Sequence, residues 1–234
     1  MDESRRQFLL YLLASGTLVS SVGCSTGAQT SVPTALPPGR SIHRLMGDVR
    51  VNGLAATLAT AINPGDVVET FDKSFVIFVV DKDAFILRSN SKMTLPGRST
   101  MAGVVSTAFS LERGKALSVL ASRRTDISTP TAVIGVRGTG VYVESEPDRS
   151  YVCVCYGTSG LATPDNPGIS ETIVSEHHNA PRYILADKSA SQRIVPAPFK
   201  NHDDQELLLI ETLVGRTTPY IVPRGVPRTR GGYF

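Results

Sequence analysis

The 234-residue chain lacks the short motifs that mark many catalytic sites. It has no Gly-x-Ser-x-Gly elbow to present a nucleophilic serine, and no glycine-rich loop of the kind that cradles a phosphate. The neighbouring carboxylates Asp203 and Asp204 stand at the start of a predicted helix, where negative charge is favoured without any catalytic role. The sequence therefore predicts a protein that is not an enzyme.

The chain also has little net charge. Its 24 Lys and Arg residues and 21 Asp and Glu residues leave a formal net charge of +3 at pH 7. So weak and evenly spread a charge gives no electrostatic footprint for nucleic acid, which we do not expect as a partner. The basic residues concentrate only near the carboxy terminus, where residues 216–234 are predicted to form a flexible basic tail. A content of 41% hydrophobic and 19% charged residues is typical of a chain with a packed core.

The amino-terminal apolar run is too short for a membrane span. Phe8–Gly23 is 16 uncharged residues long, whereas a transmembrane helix needs about 20. The run follows Ser4-Arg5-Arg6-Gln7-Phe8, which resembles the twin-arginine export motif, and this arrangement is typical of a signal peptide. The alternative is a buried helix with two adjacent arginines. We expect residues 1–24 to direct export to the periplasm, by a route that carries proteins already folded, often around a cofactor.

Two ways of processing this segment remain open. Ser21-Val22-Gly23-Cys24 resembles a lipobox in which Cys24 would carry the lipid, although Ser21 stands where a leucine is usual. Cleavage after Ala28, with Thr26 and Ala28 as the small flanking residues, is the competitor. Lipidation, which we prefer, would anchor a lipoprotein to a membrane surface, and ordinary cleavage would release the protein into the periplasm.

From residue 42 onward, segments rich in β-branched and aromatic residues recur every 8–15 residues. Turn signals such as Asn52-Gly53, Asp81-Lys82-Asp83 and Glu146-Pro147-Asp148 separate them. We expect a mainly β fold, either a β-sandwich or a short twisted β-solenoid, after a flexible linker at residues 25–41. The strands predicted outside the stretch described next are Val49–Val51, Lys73–Val80, Ala84–Ser89, Met101–Phe109, Lys115–Ala121 and Ser150–Tyr156.

The most informative stretch is Ile127–Val143, which reads ISTPTAVIGVRGTGVYV. Thr129-Pro130 favours an extended start, because the residue before a proline is pushed out of the helical region. Two short strands, Val133–Val136 and Val141–Val143, flank Arg137-Gly138-Thr139-Gly140. The two glycines allow positive φ angles, so the chain is expected to bend sharply or bulge between these strands.

This TP-x-A-x-x-x-VRGT-x-x-x-V pattern resembles the signature of the FecR domain, the periplasmic sensor part of iron-dicitrate-type signalling regulators. Gly47–Gly53 resembles the opening hairpin of that domain, Asn63–Thr70 its next segment, and Tyr151–Gly157 the strand that ends in a glycine turn. The resemblance covers roughly Gly47–Leu161. It implies a FecR-like β-domain at residues 42–161 that binds or signals outside the cytoplasm and has no catalytic residues.

A carboxy-terminal extension, residues 162–215, is predicted to end in an amphipathic helix. Asp203 and Glu206 have the spacing of a capping box, and Gly215 is typical of a helix stop. Between them an apolar stripe recurs at helical spacing and must be buried, and we expect it to pack against the sheet. Its members are Leu207, Ile210, Leu213 and Val214.

Cys153 and Cys155 are the only cysteines besides Cys24. Two residues apart in a strand, they would share one face with their β-carbons about 6.5–7 Å apart, well beyond the ~3.8 Å that a disulfide prefers. A disulfide between them would therefore be strained. One metal ion can join two thiolates more easily, since Zn–S bonds are about 2.3 Å long.

Three histidines downstream, His177, His178 and His202, are candidate partners of this pair. Two cysteines with His202 and either His177 or His178 would form a four-ligand zinc or iron site. Asp203 is a candidate hydrogen-bond partner behind a ligating imidazole. Two other interpretations remain. The cysteines are ordinary buried hydrophobes beside loop histidines, or the pair senses redox state.

The sequence thus leaves two functions open. The first is a non-catalytic, exported FecR-domain module of the bacterial cell envelope that binds a protein or envelope component through exposed strand edges. The second is a metalloprotein whose Cys/His site is structural, sensing or redox-active. Only seven residues precede the apolar run, so we do not expect direct control of a sigma factor across the membrane. Contact with a membrane is expected only through a lipid on Cys24.

Overall fold

The computed structural model describes residues 34–100, 103–106 and 108–220. The predicted signal peptide with Cys24, most of the linker and the end of the basic tail lie outside these residues. Within them the expected mainly β fold with one carboxy-terminal helix is confirmed. No helix among the described residues combines the length and the apolar character that crossing a membrane requires.

The strands follow one another with short connections, several of them at the predicted turns. Asn52 and Gly53 both have positive φ angles (53° and 80°), as a tight hairpin turn requires.

The described elements are β1 (Ile42–Met46), β2 (Val49–Val51), β3 (Leu54–Ala55), β4 (Val67–Thr70), β5 (Phe75–Val80), β6 (Asp83–Leu87), β7 (Lys92–Thr94), β8 (Gly97–Thr100), β9 (Gly103–Ser106), β10 (Ala108–Val119), β11 (Arg124–Ser128), β12 (Val133–Arg137), β13 (Gly140–Ser145), β14 (Arg149–Ala162), β15 (Ser170–Ser175), β16 (Arg182–Leu185), β17 (Ile194–Pro196) and α1 (Asp204–Leu213).

Two long strands pass between the two layers of a β-sandwich. The first part of β10 pairs with β7 and β11, and its second part pairs with β6 and β13. In the same way β14 pairs first with β13 and β16, and then with β12 and β15. Gly114 and Gly157, both with φ of 91°, stand where the two strands change layers. Nearly all pairs are antiparallel, which corresponds to the sandwich rather than the solenoid alternative.

Two apolar cores explain why several strands are apolar on both faces. In β5, which reads FVIFVV, Val76 and Phe78 face the core between the layers. Phe75 and Ile77 face outward into a second core, which α1 covers with Leu207 and neighbouring residues. A strand buried on both faces loses the alternation of apolar and polar residues that a half-exposed strand shows.

The helix begins and ends as its sequence predicts. The Asp203 carboxylate accepts a hydrogen bond from the Glu206 backbone N–H (3.0 Å), and the Glu206 carboxylate accepts one from the Asp203 N–H (3.1 Å). Gly215 follows with φ of 71°. Of the predicted stripe, Leu207, Ile210 and Leu213 are buried and Val214 packs at its edge. The carboxylates of Asp204, Glu206 and Glu211 are buried as well, which the amphipathic pattern did not indicate.

The prediction of two separate strands around residues 112–114 is wrong. Residues 108–119 form the single strand β10, because Gly114 bends the chain into the second layer instead of reversing it. The strand predicted at Ser150–Tyr156 is also longer, since β14 continues past Gly157 to Ala162. Met101, one end of another predicted strand, lies outside the described residues. The predicted strands did not include β1, β3, β4, β7, β8, β11 or β15–β17.

The signature stretch crosses from one layer to the other. Strand β12 pairs with β11 and β14, whereas β13 pairs with β10 and β14, so the two flanking strands are not partners of each other. The expected bend between them is confirmed, with Gly138 at φ of 63°. Gly140 serves a different purpose, because a β-carbon there would lie 2.5 Å from the ring of Tyr156.

Candidate metal centre and exposed strand edge

The two cysteines lie on the outer face of one layer, beneath the carboxy-terminal segment. Both are fully buried free thiols in the second core. Along β14, Val154 pairs with Val141 and Tyr156 pairs with Gly140, so Cys155 is the extra residue of a β-bulge. The bulge interrupts the regular alternation of side chains along β14 at Cys155.

A tight loop after β15 brings His178 to this pair. The side-chain oxygen of Asn179 accepts hydrogen bonds from the backbone N–H groups of His177 (2.7 Å) and Glu176 (3.2 Å). The backbone N–H of His178 then donates to the carbonyl of Cys155 (2.9 Å). His178 has a φ of 55°, a left-handed conformation that is uncommon for residues other than glycine. The loop thereby turns the His178 ring inward.

His202 reaches the same place from the residue before the helix cap. It is buried, with its ring stacked on Tyr142 at a centroid distance of 4.4 Å and packed against Phe199 at 4.6 Å. Its Nδ1 lies 2.7 Å from the carbonyl oxygen of Lys200. This contact fixes the ring so that Nε2 points toward the cysteines and His178.

Four potential ligand atoms meet at this point. Cys153, Cys155, His178 and His202 are all buried, and one ligand atom from each lies within 4.8 Å of the other three. The Cys153 sulfur is 3.6 Å from His178 Nδ1, which is 3.1 Å from His202 Nε2. The four residues that the sequence analysis combined, with His178 taken as the choice between two neighbours, are therefore adjacent in the fold.

The other two residues of the prediction have different places. The side chain of His177 is 38% exposed, and its Nε2 contacts the Asp204 carboxylate (2.9 Å) rather than the cysteines. Asp203, the candidate partner of a ligating imidazole, uses its carboxylate to cap the helix. Asp204 takes that role, with Oδ1 3.1 Å from His178 Nε2. His177, His178 and Asp204 form a second, more exposed group of donors.

The surroundings favour one thiolate in the cluster. Hydrogen bonding from Cys155 first, and then from His178 and His202, holds the pKa of the Cys153 thiol well below its ordinary value. Burial raises the pKa of Cys155. For His178, burial lowers the pKa but the Asp204 carboxylate and Cys153 outweigh it, so the net shift is upward. The site therefore stabilises negative charge on Cys153.

Polar contacts fix the segment that carries His202. The Tyr151 hydroxyl donates to the carbonyl of Pro198 (3.0 Å). The buried Glu144 carboxylate accepts hydrogen bonds from the Asn201 amide (2.6 Å) and the Lys200 ammonium (2.6 Å). Tyr151 lies on β14 and Glu144 on β13, so residues after 197 are held on the sandwich by hydrogen bonds as well as by apolar packing.

A different feature lies on the other layer, where β15 forms an open edge. Among the described residues β15 pairs only with β14. Its outward side chains are Ser170, Thr172 and Val174, and Val174 is 70% exposed. On the same face, two strands away, Val133 is 38% exposed.

The family model described as FecR protein matches residues 66–158. The chain contains a FecR domain. The match is narrower than the expected 47–161, and it includes the signature stretch and both cysteines. His178, His202, β15 and α1 follow the matched part of the FecR domain, so the cluster joins that domain to the carboxy-terminal extension.

Among solved structures, the chain is similar to two crystal structures of a proposed anti-sigma factor from Parabacteroides distasonis. The sequence identities are 15% and 16%, and the TM-scores are 0.45 and 0.44. The alignments cover 60% of this chain, which spans 62% of the length of those structures. No curated protein matches the chain at the same level of significance.

Proposed function

We propose that this protein is a non-catalytic signalling module of the bacterial cell envelope that binds a partner protein by strand addition at β15. The match to the FecR family supports the signalling role, because the FecR domain is the sensor part of iron-dicitrate-type signalling regulators. The observation that carries the binding mode is the open edge of β15, whose exposed side chains (Ser170, Thr172 and Val174) carry no charge.

The hydrogen-bond pattern shows which backbone groups of β15 are available. The N–H of Thr163 donates to the carbonyl of Ile169 (3.2 Å), which sets the phase of the antiparallel ladder. Because hydrogen-bonded and non-hydrogen-bonded pairs alternate, Ser170, Thr172 and Val174 turn their N–H and C=O groups away from β14. A partner strand laid along β15 would meet this row of groups.

The side chains of β15 also suit binding by strand addition. Natural edge strands are usually protected by charged residues, bulges or proline. Here the one charged residue of β15, Glu171, is engaged by Arg182 at 2.6 Å. Val174 and Val133 add exposed apolar surface, with Gly160 between their strands leaving the face flat. An extended segment with apolar residues at alternate positions is the partner chemistry that this surface suits.

The proposed location is the periplasm. The twin-arginine-like segment supports export, and Cys24 supports a lipid anchor that would keep the module at a membrane surface. Such a position would leave the β15 edge accessible to envelope proteins.

The test first identifies the partner and then compares two substitutions at Thr172. A photo-crosslinking amino acid at Val174 identifies the partner in cells, with Leu58, an exposed residue elsewhere, as the control position. The affinity of the purified pair is then measured for Thr172→Pro and Thr172→Val. Proline removes an N–H that faces away from β14, so we expect at least tenfold weaker binding with the melting temperature unchanged. Valine preserves the N–H and should preserve binding. Equal affinity of the proline variant and the wild type would refute strand addition.

A further inference from the structure

We infer that Cys153, Cys155, His178 and His202 bind one zinc ion as a closed, four-ligand structural site. The inference does not depend on the strand-addition proposal, because it concerns the opposite layer of the sandwich. All four ligands come from the protein, which distinguishes structural zinc sites from catalytic ones with an open position.

The spacing of the donor atoms matches the size of the ion. With Zn–S bonds of about 2.3 Å and Zn–N bonds of about 2.0–2.1 Å, the edges of a zinc tetrahedron are about 3.3–3.8 Å long. The Cys153 sulfur and His178 Nδ1 are 3.6 Å apart, and His178 Nδ1 and His202 Nε2 are 3.1 Å apart. These two separations need only tenths of an ångström of adjustment, and all four donor atoms lie within 4.8 Å of one another. Two sulfurs and two imidazoles are also the donor set that zinc favours in a tetrahedral site.

The outer partners of the imidazoles fix which nitrogens carry protons. His202 Nδ1 faces the Lys200 carbonyl, which can only accept, so Nδ1 carries a ring N–H and Nε2 is the atom left to bind a metal. His178 Nε2 faces the Asp204 carboxylate, so Nε2 is likewise the N–H donor and Nδ1 is the atom left to bind a metal. These two remaining nitrogens face each other at 3.1 Å, and without a further proton or a metal ion between them neither can donate to the other.

A metal ion resolves this conflict. It accepts both lone pairs at once and also uses the two sulfurs that share the site. Metal-ligating histidines usually donate their second ring N–H to a carboxylate or a backbone carbonyl, which are the partners of His178 and His202. A proton between the two nitrogens is the competing solution, and that solution needs neither cysteine.

A zinc ion bound by these four residues would connect parts of the chain that are distant in sequence. Cys153 and Cys155 belong to the FecR domain, whereas His178 and His202 follow it. One ion would therefore fix the loop after β15 and the start of α1 onto β14. Because ordering these segments is coupled to binding, the ion should stabilise the carboxy-terminal extension against local unfolding.

The experiment measures metal in the full chain, purified without a polyhistidine tag, by elemental analysis. The sample is also unfolded and refolded with one equivalent of zinc, or of cobalt as a spectroscopic probe. The variants are His178→Gln, Cys155→Ser and the matched control His177→Gln, whose side chain lies next in sequence but outside the cluster. Helical and strand content by circular dichroism shows that each variant is folded.

We expect about one zinc per chain in the wild type and in His177→Gln, and at least a tenfold lower content in the other two variants. Cobalt should give tetrahedral visible bands and sulfur-to-metal charge-transfer absorption in the wild type and the control only. A folded wild type that takes up neither metal on refolding would overturn the inference. Equal loss of metal in His177→Gln and His178→Gln would also overturn it, by assigning the ion to the exposed histidine group.

Discussion

The ion pair between Arg88 and Glu206 should contribute most of the electrostatic attachment of α1 to the sandwich. One guanidinium nitrogen of Arg88 donates to both Glu206 carboxylate oxygens (2.9 and 3.0 Å) and to the carbonyl of Asn201 (2.9 Å). The Glu206 side chain is 0% exposed and that of Arg88 is 11% exposed. Arg88→Met keeps most of the apolar stem but leaves the carboxylate buried beside a single remaining N–H donor, that of Asp203.

Breaking a buried pair in this way costs about 3–5 kcal/mol of folding free energy, because one charge stays desolvated without its partner. At about 2–4 °C per kcal/mol for a protein of this size, the melting temperature should fall by about 6–20 °C. The assay is urea and thermal unfolding followed by far-ultraviolet circular dichroism, a suitable probe for a chain without tryptophan.

Two controls separate the buried charge from a general surface effect. Arg88→Met/Glu206→Gln removes both charges and should recover most of the lost free energy of unfolding. Arg124→Ala removes an 83% exposed arginine from its contact with Asp126 and should change that free energy by less than about 0.5 kcal/mol. A loss in Arg88→Met no larger than that in Arg124→Ala would show that the buried Arg88–Glu206 pair does not stabilise the fold.

Three further predictions concern the signature turn, acid stability and export. Gly140→Ala places a β-carbon against the Tyr156 ring and should destabilise the fold by about 1–3 kcal/mol in urea unfolding, whereas Gly160→Ala, with open space around it, should not. Burial raises the pKa of Glu144, but its hydrogen bonds outweigh this and hold that pKa below the ordinary value. Its stabilisation is thus present above the unfolded-state pKa and is lost as the pH falls through the folded-state pKa, so Glu144→Gln should flatten the acid side of a stability–pH profile. Replacing both arginines of the twin-arginine-like motif by lysine should retain the protein in the cytoplasm on cell fractionation, and unchanged export would exclude that route.

Local signals in the sequence predicted the elements whose structure is decided locally. The Asn52-Gly53 turn, the capping box of Asp203 and Glu206, and the bend at Gly138 each depend on residues a few positions apart. The same reasoning failed at Gly114, since a glycine with positive φ can end a strand or bend it into a second layer. Only the pairing partners of β10 decide between these outcomes, and they lie far away in sequence.

The sequence identified Cys153, Cys155 and His202 of the cluster but did not decide between His177 and His178. Nothing in the pair His177-His178 indicates which ring turns inward, because the left-handed conformation of His178 is set by the loop contacts of Asn179. Asp203 and Asp204 are likewise adjacent and chemically alike, and it is Asp203 that caps the helix. Choices between neighbours of the same kind require the three-dimensional structure.

The carboxy-terminal extension is structurally part of the sandwich. Strands β15–β17 continue its hydrogen bonding, α1 closes the second core, and the buried Glu206 of α1 pairs with Arg88, which directly follows β6. The sequence pattern showed an amphipathic helix but gave no sign of these charges, since Arg88 and Glu206 are separated by more than a hundred residues.

X-ray absorption at the zinc edge of the full chain, refolded with one equivalent of zinc, tests the buried Cys/His site most directly. The expected spectrum contains two sulfur neighbours at about 2.3 Å and two nitrogen neighbours at about 2.0–2.1 Å. A first shell made only of nitrogen and oxygen would place the ion away from Cys153 and Cys155 and would exclude the proposed four-ligand site.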